Sequence, residues 1–114
     1  MRLLASIQNK YIIAYKEAFY DEDSKSLCVI MEYAGGGDIL QKIQRYRKKH
    51  AYISESLIWR YFLHILRGLK TLHDMDILHR DLKCANIFIS KDGRTAKLGD
   101  LNVSKVARDG LVKT

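Results

Sequence analysis

Residues 79–86 read His-Arg-Asp-Leu-Lys-Cys-Ala-Asn, and a Gly99-Asp100 pair places a second aspartate fourteen residues beyond Asn86. Two carboxylates, a carboxamide and an ammonium thus gather around one short loop and one hairpin. These groups can hold a metal-bound polyphosphate and steer a hydroxyl onto it. Asp81 is the candidate catalytic base, able to accept or orient the proton of the attacking hydroxyl. Asn86 offers a neutral oxygen and Asp100 a charged one. A few hard oxygen donors suit Mg²⁺, which keeps several waters and leans on substrate phosphates. Lys83 can reach the transferring phosphoryl group and offset its charge. Arg80 is suited to bidentate phosphate binding, and a phosphorylated side chain would supply that partner. His79 reads as a packing residue.

Alone, each residue has a plainer reading: a lone Asp in a loop forms turns, and a lone Asn before a strand caps it. The fixed octet is what separates this chain from that background. Other features carry less. Gly35-Gly36-Gly37-Asp38 lacks the G-x-G-x-x-G order of a phosphate cradle and reads as a turn. The four histidines (50, 64, 73 and 79) lack zinc-ligand spacing. Cys28 and Cys84 form no disulfide framework, and neither has a base beside it to make a nucleophile.

The elements that must position these groups are legible from pattern. Leu3 to Ile7 reads as the last turns of a helix. A strand is expected within Ile12 to Phe19, a polar turn over Asp21 to Ser26, and a buried strand over Leu27 to Tyr33. After the glycines, Asp38 can cap a helix running to about Arg47. Ser54 can cap a second, carrying the stripe Ile58, Tyr61/Phe62, Ile65, Leu69 and Leu72 to about His73. Ile87-Phe88-Ile89 and Ala96-Lys97-Leu98 flank the turn signal Lys91-Asp92-Gly93-Arg94. Asn86 precedes one hairpin strand and Asp100 comes after the other, so an antiparallel hairpin can bring the two together.

Composition sets bounds. The chain has 114 residues, 47% hydrophobic and 29% charged, which suits one globular α+β unit at most. No apolar run approaches the roughly 18 residues of a membrane span, and the start lacks a signal-peptide core. An intracellular, cytoplasmic setting is expected, with cytoskeletal or nuclear association open. The net charge of +7 invites a nucleic-acid reading, but the one dense cluster is Arg45, Arg47, Lys48, Lys49 and His50 at a helix end. With no reading helix or aromatic platform beside it, it reads as a solvated face, and no nucleic-acid partner is expected. Proline is absent.

With these residues in place, the chain resembles the eukaryotic Ser/Thr protein kinases, and most closely the never-in-mitosis-A-related group. The resemblance runs through essentially all of it. Lys83 is the Ser/Thr-type mark of the loop. Arg2-Leu3-Leu4-Ala5-Ser6-Ile7 and Ile12 to Phe19 look like the end of helix C and the next strand. Met31-Glu32-Tyr33-Ala34 resembles the gatekeeper and hinge. The resemblance implies a partial protein-kinase-like fold: the end of helix C, two N-lobe strands, the hinge, helices D and E, the catalytic loop, a β-hairpin and the start of the activation segment. Residues 1–33 would be an N-lobe remnant and hinge start, and 34–114 a C-lobe part. It implies ATP and Mg²⁺ as cofactors and protein Ser/Thr hydroxyls as substrates. Glu32 carbonyl and Ala34 amide would meet the adenine edge, with Phe88 under the ring and Asp38 near the ribose. Asn86 and Asp100 would hold the metal. Thr114 would align with the activation-loop phosphosite, and Arg80 with its partner.

Departures from the family pattern are specific. D-F-G is here Asp100-Leu101-Asn102, and Gln8-Asn9-Lys10-Tyr11 stands where H-P-N is usual. Leucine keeps a smaller apolar plug, and asparagine tolerates a positive φ best among non-glycine residues. Activity tuned rather than abolished is expected from D-L-N. The family's glycine-rich loop, strand lysine and helix C glutamate do not occur in the 114 residues. The isolated chain is therefore expected to be the middle of a kinase domain, marginally folded and without a useful rate. A non-catalytic kinase-like binding module is the alternative.

Overall fold

The computed structural model describes residues 6–99 and 101. Most of the expected helix end at Leu3 to Ile7, and the expectations for Asp100, Asn102 and Thr114, lie outside the described residues.

Two antiparallel strands come first, β1 (Tyr15–Asp21) and β2 (Ser26–Met31), with Tyr15 opposite Met31 and Asp21 opposite Ser26. The polar turn between them is tied by Asp21, which accepts from Ser24 Oγ at 2.9 Å. Strand β1 begins three residues later than Ile12. Pairing with the distant hairpin overrides the local pattern there: Leu98 N donates to Tyr11 O and Ile13 N to Leu98 O, both at 2.8 Å. Ile12 lies parallel to Leu98, so this stretch joins the hairpin before the chain crosses into β1.

Helix α1 (Ile39–Lys48) starts at Asp38, which accepts from Gln41 N at 2.9 Å while Gln41 Oε1 accepts from Asp38 N at 3.2 Å. This reciprocal capping box satisfies two otherwise orphaned N–H groups. Three cations in its last turn, Arg45, Arg47 and Lys48, lie at the negative end of the helix dipole. Helix α2 (Glu55–Asp74) starts at Ser54, whose hydroxyl accepts from Leu57 N. A 3₁₀ turn over Cys84–Asn86 then leads into the hairpin β3 (Ile87–Ile89) and β4 (Ala96–Leu98). Its turn closes as the residue types demand. Gly93 takes φ +77°, and Asp92 accepts from Ser90 Oγ and Arg94 N at 2.6 and 3.0 Å.

The core lies where α2 crosses the hairpin. Ile12, Leu72, Ile89, Leu98 and Leu101 are fully buried, each contributing about 1.5–3 kcal/mol over an exposed side chain. The buried face of α2 is Tyr61, His64, Gly68 and Leu72. It is rotated from the expected stripe: Ile58 and Phe62 are half exposed, and Trp59, Leu63 and Leu66 share that outer flank. Polar contacts to the hairpin set the rotation. Ala96 N donates to His64 Nδ1 at 3.1 Å, Arg60 Nε to Arg94 O at 2.6 Å, and Tyr61 Oη to Gly93 O at 2.5 Å. Gly68 allows a close approach: a Cβ there would meet Tyr11 O at 2.8 Å and Leu98 Cδ1 at 3.0 Å. Among the described residues, no helix is long and apolar enough to cross a membrane.

Candidate active site

The hairpin fixes two ends of one site. At its open end Gly99 N donates to Asn86 O at 2.9 Å, so the residue preceding Asp100 is bonded directly to Asn86. Asn86 is buried, and its Nδ2 donates to both the carboxylate Oδ2 and the main-chain carbonyl of Asp81, at 2.9 and 2.7 Å. Both partners are acceptors, which fixes the amide orientation and leaves Asn86 Oδ1 as its remaining hard donor. The other Asp81 oxygen, Oδ1, lies 3.7 Å from Lys83 Nζ. The Asp81 side chain is partly exposed and Lys83 more so, leaving the carboxylate accessible to a ligand.

His79 ties the loop down. It is buried, its Nε2 lies 2.8 Å from Gly99 O, and its Nδ1 accepts from Asp81 N at 3.2 Å. A carbonyl only accepts, so Nε2 carries the donated proton. Arg80, exposed beside it, sits at φ +70°, a conformation rare for a residue with a Cβ. Leu101 is in the core, and its N donates to Tyr15 Oη at 3.3 Å, which fastens the segment after β4 to β1.

Beside this loop is a cavity of about 400 Å³ lined by Met31, Glu32, Ala34, Asp38, Phe88 and, unforeseen in the sequence, Ile13, Gly37 and Gln41. Strand β3 joins it to the loop, since Phe88 is two residues from Asn86, and Asp38 bridges to Phe88. The glycines pack against β3 as a turn: Gly36 N donates to Ile89 O at 2.8 Å, and Ile89 N to Gly37 O at 2.7 Å. Among the described residues, no backbone hydrogen bond uses Glu32 O or Ala34 N.

The Glu32 side chain has a role that sequence did not show. It accepts from Lys97 Nζ at 2.6 Å and from Ala14 N at 3.1 Å, joining the strand end to β4. Burial pushes its carboxyl up, but Lys97 and the Ala14 amide outweigh that and hold it below the usual 4.5. A separation of 65 residues hides such a pair from any local pattern.

The sequence matches the model of the protein kinase domain over residues 1–114. The chain belongs to the protein kinase family. This kinase chain is 41% identical over 109 residues to "Serine/threonine-protein kinase Nek5" of Mus musculus, with 96% of this chain and 17% of the relative covered. It is 38% identical over 114 residues to "Serine/threonine-protein kinase Nek6" of Oryza sativa subsp. japonica, covering 100% of this chain and 21% of the relative. To "Probable serine/threonine-protein kinase nek2" of Dictyostelium discoideum it is 35% identical over 114 residues, covering 97% and 27%. All three relatives carry the Nek name, in agreement with the never-in-mitosis-A-related resemblance. The kinase chain thus spans between about a sixth and about a quarter of the length of these relatives. Its α+β elements are those of a partial kinase fold.

Proposed function

We propose that this chain carries the adenine-side cavity and catalytic loop of an ATP-dependent protein serine/threonine kinase. The observation that supports this best is the Asn86–Asp81 double hydrogen bond, two residues along β3 from the cavity-lining Phe88. In this reading the Glu32 carbonyl and Ala34 N–H meet the adenine edge, Phe88 packs on the ring and Asp38 faces the ribose. Asn86 Oδ1 and the Asp100 carboxylate would hold Mg²⁺, and the donor set fits a hard cation. Bound there, Mg²⁺ would neutralise charge on the phosphates.

Asp81 then receives or orients the proton of a serine or threonine hydroxyl as its oxygen bonds to the γ-phosphorus of ATP, while the bond from that phosphorus to the β–γ bridging oxygen breaks and ADP leaves. Asn86 holds the carboxylate in one orientation, so little reorganisation is needed at the moment of reaction. Lys83 stabilises negative charge on the transferring phosphoryl group. Arg80 would receive a phosphorylated side chain, and Thr114 would carry that phosphate.

The test is transfer of labelled γ-phosphate from ATP to matched Ser, Thr and Tyr peptides by the full-length protein. Incorporation into Ser and Thr peptides that requires Mg²⁺ is expected. Nucleotide binding with no transfer to any peptide would instead establish a non-catalytic binding module.

A further inference from the structure

The link between α1 and α2 forms a groove that the kinase reading leaves unused. Its first half is an apolar cavity of about 210 Å³ whose walls include Ile43, Tyr46, Ile53 and Ile58. Its second half is a neighbouring cavity of about 310 Å³ lined by Arg47, His50, Ala51 and Tyr52. Arg47, Ala51 and Tyr52 line both, so the halves adjoin. The turn that shapes them is held by backbone bonds: His50 N donates to Arg47 O at 3.1 Å and Ala51 N to Tyr46 O at 3.0 Å, with His50 at φ +53°.

The segment that shapes the groove carries charge of one sign, and the acidic Glu55 follows it at the start of α2. From Ile39 to Ser54 no acidic residue occurs. Arg45, Arg47, Lys48, Lys49 and His50 are all exposed, and none of the ion pairs among the described residues involves them. One apolar socket thus adjoins a dense cationic rim.

We propose that this groove docks an acidic peptide segment of a partner protein, with one Leu- or Phe-sized side chain in the socket and flanking Asp or Glu carboxylates on the rim. Charge complementarity selects this occupant over a second copy of the chain, whose net charge is +7. Ile43, Ile53 and Ile58 make most of the socket aliphatic, which favours an apolar peptide side chain; a nucleic acid would instead stack on Tyr46 or Tyr52 and need a phosphate track. Helix α1 has 10 residues, and Asp38 at its other end lines the larger cavity. At ~1.5 Å per residue a docked segment sits ~15 Å from that cavity, clear of the reacting groups.

The test measures fluorescence anisotropy of a fluorescein-labelled Asp/Glu peptide with one central Phe, titrated with the full-length protein. Saturable, salt-weakened binding is expected, about tenfold weaker for the same peptide with Ala in place of Phe. Ala51→Trp fills the socket and Tyr52→Ala removes a fully exposed wall, and each should lower affinity about tenfold with unchanged circular dichroism. Arg47→Glu with Lys48→Glu should abolish binding. The proposal is overturned if no peptide binds, if the Phe and Ala peptides bind equally, or if both socket variants bind like wild type. It is also overturned if an oligonucleotide of equal charge competes as well as the peptide.

Discussion

Asn86 donates through one nitrogen to both the carboxylate and the main-chain carbonyl of Asp81. A side chain that bonds to a carboxylate and to its own backbone fixes direction as well as position. Asn86→Ala should therefore leave Asp81 free to rotate, and also remove a proposed metal donor. We expect kcat for peptide phosphorylation to fall about 10²-fold or more, read in steady-state assays of the full-length protein. A fall of less than about threefold would show that the contact does not position the base.

Gly68 is where the backbone of α2 lies against Tyr11 and Leu98. Alanine there gains up to about 1 kcal/mol in helix propensity, but its Cβ would meet Tyr11 O at 2.8 Å, and a backbone oxygen cannot swing away. Overpacking of this kind costs about 1–3 kcal/mol, and the clash wins. Gly68→Ala should lower Tm by about 2–8 °C in calorimetry of the full-length protein. An unchanged or higher Tm would mean that α2 sits further from Leu98.

Glu32 is held below its usual 4.5 by Lys97 and the Ala14 amide against the opposing effect of burial. Its contribution is therefore complete above pH 4.5 and is lost as pH falls through the lower folded value. Glu32→Gln should flatten the acid limb of the stability curve in that window while lowering stability at neutral pH. Urea midpoints measured across pH check both, and parallel acid limbs for the two proteins would contradict the pairing.

His64 acts in the same sense, in a higher pH window. Burial first, then Arg60, Lys10 and Arg67, hold it below 6.5, and its Nδ1 must stay unprotonated to accept from Ala96 N while the ring stacks on Tyr11 at 4.5 Å. The unfolded chain takes up this proton first, so stability should fall as pH drops below 6.5 and level off below the folded value. His64→Asn offers Oδ1 to Ala96 N and should remove that slope, at some overall loss from the missing Tyr11 contact. Urea midpoints between pH 7.5 and about 5 read the slope directly.

The helices and the hairpin were legible because their signals are local. Asp38, Ser54, and Lys91 to Arg94 lie within one turn of the segments they control. The octet was legible for the same reason, since Asp81, Lys83 and Asn86 share one loop, and the structure brings the three side chains together. Contacts across the chain were not legible. The start of β1 depends on Tyr11 and Ile13 meeting Leu98, and the rotation of α2 on Tyr61 and His64 meeting the hairpin. The Glu32–Lys97 pair likewise has no local signature, and the helical period alone did not choose which arc of α2 faces inward.

The most direct test of the central claim is single-turnover phosphoryl transfer from Mg²⁺-ATP to a serine peptide by the full-length protein and its Asp81→Asn variant. The variant keeps the shape of the loop and removes the proton acceptor. We predict that transfer slows by about 10²-fold or more while ATP binding, measured separately by calorimetry, is unchanged. Transfer within about threefold of wild type would contradict the assignment of Asp81 as the base and with it the reading of this loop.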